Sequence, residues 1–325
     1  MYYSSSLNAN RRVSAIMPRT VALLVVTLML AAASVAQAAA AQSAAAKPAG
    51  TLERIKQSGK MAIGYAPDSQ PFSYSDGSGK VTGYAIALCR KVADTVKADL
   101  GLANLAVDFV PFSGDDRFRA VEQGKIDLLC GAAPTLARRA TLDFSIPVFA
   151  SGTGVVVRSD APARLVQVLS GAETPDQPYW RGMLNQAPER KAFAAFGGTT
   201  VERALIDRLK LLHISVDVIP VKSLQEGLQL VQDRRAAAFF ADRAMLLASA
   251  RNNPSSADFV VIDRVFRREP VALAVQRNDA DFRLLVDKSL SRLFRSGEIG
   301  PIYTSYFGAP TQSALNFFEL SALSE

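Results

Sequence analysis

Histidine is nearly absent from this chain of 325 residues, with His213 its single example. Cysteine occurs twice, at Cys89 and Cys130, and tryptophan once, at Trp180. So little imidazole and thiol argues against a metal centre, which needs several such ligands at close spacing. His213 falls between Leu212 and Ile214, where a partly buried structural imidazole is expected. Acidic residues are outnumbered, 30 against 37 basic, for a net charge of +7. Three of the basic residues, Arg11, Arg12 and Arg19, stand in the acid-free first 40 residues, so beyond them 34 basic face 30 acidic, a charge of +4. Basic and acidic residues are interspersed, and no zinc-finger, RNP or helix-turn-helix spacing occurs, which argues against nucleic acid as a partner. The apolar run at 21–30 is too short to span a bilayer core of about 30 Å.

That run does have the layout of an export signal. Arginines precede it and small residues follow through Ala36, Gln37 and Ala38, which places cleavage near Ala38 or Ala40. Residues 1–40 are therefore read as signal peptide and cleavage region, and 41–50 as a flexible linker. Arg11-Arg12 is followed by Val13, Ser14 and Ala15, a poor twin-arginine match. With no cysteine near the cleavage region, a lipid anchor is not expected and the mature protein belongs in the periplasm.

Beyond residue 50 strands and helices alternate. Strands are expected at 61–65, 107–110 and 126–130, helices at 86–100 and 115–123, and a hairpin joins 72–74 to 81–83 around Asp76-Gly77. The string GSGK in that turn lacks the glycine spacing and the Ser or Thr of a phosphate loop. A second alternation runs through a helix at 199–212, a strand at 215–219, a helix at 224–233 and a strand at 236–240. Extended runs at 154–157 and 271–275 link the two sets, and helices follow at 280–295 and 298–306. The pattern is that of an α/β chain divided into two lobes, with ligand sites at the carboxyl ends of the strands.

The stretch DLLCGAAPTLARRATLDFSIP at 127–147 carries the most chemistry. Its strand ends at Gly131, and Thr135 has the N-cap chemistry to start a short helix bearing Arg138 and Arg139. Backbone N–H groups at such a turn attract an anion, and a guanidinium can grip both oxygens of a carboxylate. This stretch, with PFSYSDGSGKVTGY at 71–84, FGGTTVERAL at 196–205 and SGEIGPIYTSYFG at 296–308, resembles family 3 of the bacterial extracellular solute-binding proteins. The resemblance covers nearly the whole chain from Thr51 onward. It implies the type II periplasmic binding protein fold, with a ligand cleft between two lobes joined by two crossover segments. The expected divisions are lobe 1 over 51–153, lobe 2 over 154–270, and a return to lobe 1 with a C-terminal tail over 271–325. Residues 171–191, including Trp180 and three prolines, stand outside the resemblance as an inserted surface loop.

The resemblance also assigns the cleft. Arg138 takes a ligand α-carboxylate, helped by backbone near Gly131 and Ala133, with Arg139 as its decoy. Asp242 takes the α-ammonium, and its bland alternative is a helix N-cap. Thr199 and Thr200 close on the carboxylate from the second lobe, Phe112 walls the ligand's aliphatic part, and Arg117 resembles a side-chain-reading arginine of the glutamate/aspartate-binding subgroup. Arg117 could instead pair with Asp115 or Asp116. In this fold the first helix packs on the sheet, so a Cys89–Cys130 disulfide and two separately buried thiols both stand open. Four departures from that subgroup or the family bear on ligand identity: Ala66 replaces an arginine, Leu224 a histidine, Ala87 an aspartate and Ala133 a hydroxyl-bearing residue. The implied function is a monomeric periplasmic receptor that delivers a polar L-amino acid to an ABC transporter permease, without a cofactor. The rivals are a cyclohexadienyl dehydratase-like enzyme on the same fold and a sensor subunit that reports its ligand to a membrane receptor.

Overall fold

The computed structural model describes residues 50–172 and 192–324. The expected leader and Trp180, with most of the inserted loop, lie outside them. The first half runs through α1 (Thr51–Ser58), β1 (Lys60–Tyr65), β2 (Asp68–Ser69), β3 (Ser73–Ser75), β4 (Val81–Thr82), α2 (Tyr84–Asp99), β5 (Ala106–Pro111) and α3 (Asp116–Glu122). It continues with β6 (Leu128–Ala132), α4 (Leu136–Arg139), β7 (Leu142–Phe144), β8 (Phe149–Arg158) and α5 (Ala163–Ser170). The second half holds β9 (Ala192–Phe196), α6 (Thr200–Leu211), β10 (Asp217–Val221), α7 (Leu224–Gln232), β11 (Ala238–Asp242), α8 (Arg243–Asn252), β12 (Phe259–Val261) and β13 (Arg267–Gln276). Three helices end the chain: α9 (Ala280–Arg295), α10 (Ile299–Phe307) and α11 (Gln312–Ser321).

One mixed sheet of ten strands carries both lobes, in the order β10-β9-β11-β8-β13-β6-β1-β5. Within each lobe the neighbours are parallel, β5-β1-β6 on one side and β10-β9-β11 on the other. Helices cover them, as parallel strands require. Within the sheet the lobes are joined through the two long strands at the centre of this order. β8 and β13 pair antiparallel from Phe149↔Val271 to Thr153↔Arg267, and each then continues into the opposite lobe. A paired two-strand connection of this kind bends as a unit, which makes it a hinge.

Strand sequences suit their burial. Val155, Val156 and Val157 in β8 and Leu273, Ala274 and Val275 in β13 are fully buried, the continuous apolar run of a sheet covered on both faces. Tyr84 is buried behind the hinge, where its hydroxyl donates to the Val148 carbonyl at 2.8 Å. Phe72, Phe149, Tyr303 and Phe307 pack around its ring at centroid distances of 5.3–6.5 Å, which ties the returning α10 to the first lobe and the crossover. Among the described residues no helix is long and apolar enough to cross a membrane.

Candidate functional site

The site begins with an irregularity in β6. Ala272 of β13 pairs with Ala132, but Ala274 pairs with Leu129, so β6 carries one extra residue there, a bulge that re-aims the strand end. Gly131 occupies that bulge with φ of +88°, a conformation that L side chains adopt only with strain. The chain then turns into α4, whose N-cap Thr135 accepts the Arg138 N–H at 3.2 Å. Arg138 folds back so that its guanidinium donates to the Ala133 carbonyl at 3.0 Å and lies 4.2 Å from the centre of the Phe118 ring. Arg139 faces solvent.

Cys130 lies beside this turn and is bonded to Cys89 of α2, with Cα atoms 6.2 Å apart. The disulfide anchors the strand end that carries Gly131 and Arg138 to the helix beneath it.

Across the cleft, Thr199 caps α6 and accepts the Glu202 N–H at 3.5 Å, while the Glu202 carboxylate accepts the Gly198 N–H at 2.9 Å. This is the T-x-x-E signature of a helix start. The Thr199 hydroxyl donates to the Phe196 carbonyl at 2.6 Å and the Thr200 hydroxyl to Glu269 at 2.5 Å. Both hydroxyl protons are thus engaged. The donors this end offers an anion are the first-turn backbone N–H groups, which a helix cannot pair internally.

Asp242 ends β11 and caps α8, accepting the Ala244 and Met245 N–H groups at 2.8 and 3.3 Å. Its other oxygen accepts the Ser151 hydroxyl from β8. The cap and the cleft residue are one and the same. Burial pushes its carboxyl up to about 7, the two cap bonds oppose that shift, and the nearby Glu269 adds to it.

One cavity of about 130 Å³ joins these groups, lined by Arg117, Gly131, Ala133, Arg138, Thr199, Thr200 and Asp242. Phe112 lines an adjoining chamber that shares Ala66, Arg117 and Thr199 with the first. The lobes already touch there: a Cβ on Gly198 would lie 3.9 Å from the Cα of Gly114.

Arg117 makes no ion pair among the described residues, and Asp116 is engaged instead by Arg119. Its Nε is buried without a partner, and its guanidinium lies 4.9 Å from the Phe118 ring centre. Burial, with Arg138 close by, lowers its pKa to about 10, against a weaker pull from Asp115. Arg138 is lowered chiefly by burial as well, while Asp115 and Glu269 hold it up. Two desolvated cations side by side make this half of the cleft a strong anion receptor.

The sequence reading missed Glu269 and Ser151. Both sit on crossover strands in plain alternating runs, and only the β8–β13 register brings them together.

A family model for the bacterial extracellular solute-binding proteins, family 3, matches residues 61–309. The chain is 29% identical over 263 residues to an L-glutamate/L-aspartate-binding protein of Pseudomonas aeruginosa, covering 80% of this chain and 81% of that one. It is 26% identical to a glutamate/aspartate import solute-binding protein of Salmonella typhimurium, covering 83% and 84%. Among solved structures it superposes with a TM-score of 0.64 and 25% identity on an ancestral amino acid-binding protein, a precursor of cyclohexadienyl dehydratase, over 80% of this chain and 100% of the other. With that match, and a cleft hinged on two crossover strands, this chain belongs to family 3 of the bacterial extracellular solute-binding proteins.

Proposed function

We propose that this protein is a periplasmic receptor that captures an acidic L-amino acid between its lobes and delivers it to an ABC transporter permease. The observation that carries the acidic ligand is Arg117. A buried cation with an unpartnered Nε, in a cleft where Arg138 is already available for the α-carboxylate, calls for a second carboxylate on the ligand. The names of the relatives in Pseudomonas aeruginosa and Salmonella typhimurium agree with this choice. In this reading Arg138, with first-turn N–H groups of α6, holds the α-carboxylate, Asp242 the ammonium and Arg117 the side-chain carboxylate. Ala66 and Leu224, where the subgroup carries an arginine and a histidine, leave Arg117 as the main reader of the acid. The protein acts as a monomer after export by its leader at 1–40.

A thermal-shift screen against the common amino acids tests the proposal. Glutamate or aspartate at ~100 times its dissociation constant should add about 2.7 kcal/mol of stability, and neutral and basic amino acids should add less. Stabilisation by a basic amino acid alone would overturn the acidic reading.

A second reading, a dehydratase, draws on one observation, an Asp242 carboxyl raised to about 7 and so able to act as a general acid. Turnover of prephenate by the purified protein would establish it.

A further inference from the structure

The register of the hinge places two acids at one spot. Ser151 of β8 is the direct cross-strand partner of Glu269 of β13, and opposed residues in an antiparallel pair present their side chains on the same face. Both line the cavity, as does Asp242, which accepts the Ser151 hydroxyl. Glu269 accepts the Thr200 hydroxyl at 2.5 Å and pairs with Arg267 at 2.9 Å, and its side chain is only 16% exposed. The Thr200 hydroxyl, with its proton engaged by Glu269, shows only lone pairs to other groups, so the side chains of Thr200, Glu269 and Asp242 present acceptors to this corner of the cavity.

Asp242 by itself is a poor ammonium site. One of its oxygens is shared by two helix N–H groups and the other holds Ser151. Glu269, whose own oxygens meet Thr200 and Arg267, adds a second negative charge to the lining of the same cavity, within electrostatic reach of both Asp242 and Arg138.

We propose that Glu269 is a second carboxylate of the ammonium subsite, so that the ligand's amino group is held between one acid on a lobe 2 strand and another on the crossover itself. This rests on the reading above that the ligand is an amino acid. Its consequence is mechanical: a cation drawn between Asp242 and Glu269 ties β11 to β13 through the ligand, and the hinge is engaged by the α-amino group that all amino acids share.

The test uses the Glu269→Gln variant, with L-glutamate and glutarate, which lacks the amino group, titrated by calorimetry into both proteins. Expected is a loss of about tenfold or more in glutamate affinity, with glutarate binding as well as before or better, so that the ratio of the two affinities falls by the same factor. Glu269→Asp, which keeps the charge, should recover part of the preference. An unchanged ratio in Glu269→Gln would show that Glu269 only positions Thr200, and would overturn the proposal. A wild-type protein that binds no amino acid would instead refute the receptor reading itself.

Discussion

At the scale of single residues, the proposal gives two desolvated charges of the cleft, Arg117 and Asp242, the choice of ligand. Arg117 is a desolvated cation with no ion pair among the described residues and only a weak pull from Asp115, and such a group costs the empty protein stability that a well-packed apolar side chain does not. Arg117→Met should therefore raise the melting temperature without ligand while abolishing the preference for glutamate over glutamine. A lower melting temperature with the preference intact would remove Arg117 from the site. Asp242 gives a pH dependence with a definite sign. Its carboxyl is held near 7 against the ordinary 3.8, so the folded state binds this proton more tightly than the unfolded chain. The stability it contributes is complete below about 3.8 and lost as pH rises through about 7. A ligand ammonium favours the ionised form, so binding should expel a proton and tighten as pH rises from about 5 to 8. Calorimetry in buffers of different ionisation enthalpy counts that proton, and a flat affinity without proton release would contradict the assignment. Both residues were legible as candidates in the sequence. The pairing of Arg117 was not, because Asp115 and Asp116 looked equally available until Asp116 was found on Arg119.

At the scale of elements, most strands and helices were legible from periodicity, but their ends were not. The strand read at 126–130 forms at Leu128–Ala132, because Asp127 is held by Arg54 and by the Ala62 N–H at 3.1 and 2.9 Å and the bulge carries the strand past Cys130. The run at 271–275 is the buried part of a longer strand, Arg267–Gln276. Its first residues, Arg267 and Arg268, are charged and exposed, so periodicity does not show where the strand starts, and the half-buried Glu269 is hidden with them. The extents of α8 and α11 were not legible: Asp242 marked only a possible helix start, and Phe318 of α11 is buried against residues of other helices, Phe294 of α9 and Tyr303 of α10. The disulfide from α2 to β6 spans a sequence separation of 41, which corresponds to ~4 kcal/mol in the chain-entropy model. Because Cys130 precedes Gly131, reduction should lower both the melting temperature and the ligand affinity. Mass spectrometry after alkylation without reductant should find neither cysteine modified, and two alkylated cysteines would refute the bridge.

At the scale of the whole molecule, the two lobes form one sheet joined at β8 and β13, and the ligand groups come from both sides of that joint. Arg117 and Arg138 stand on the first lobe, the α6 terminus and Asp242 on the second, and Ser151 and Glu269 on the joint itself. In the proposed reading a zwitterion would satisfy all of them only with the lobes closed, which would couple occupancy to the shape a permease meets. The alternation of elements made the two-lobed plan legible from sequence. The continuity of the sheet through the hinge was not, since strand order is a property of pairing between distant segments. In the proposed reading Arg138 grips the carboxylate common to every ligand of this protein. Calorimetric titration of L-glutamate into wild type, Arg138→Ala and Arg139→Ala tests it most directly. Expected are one site in wild type, a loss of ~2–5 kcal/mol in Arg138→Ala and a change within about 0.5 kcal/mol in Arg139→Ala; equal affinities in the two variants would remove Arg138 from the carboxylate site.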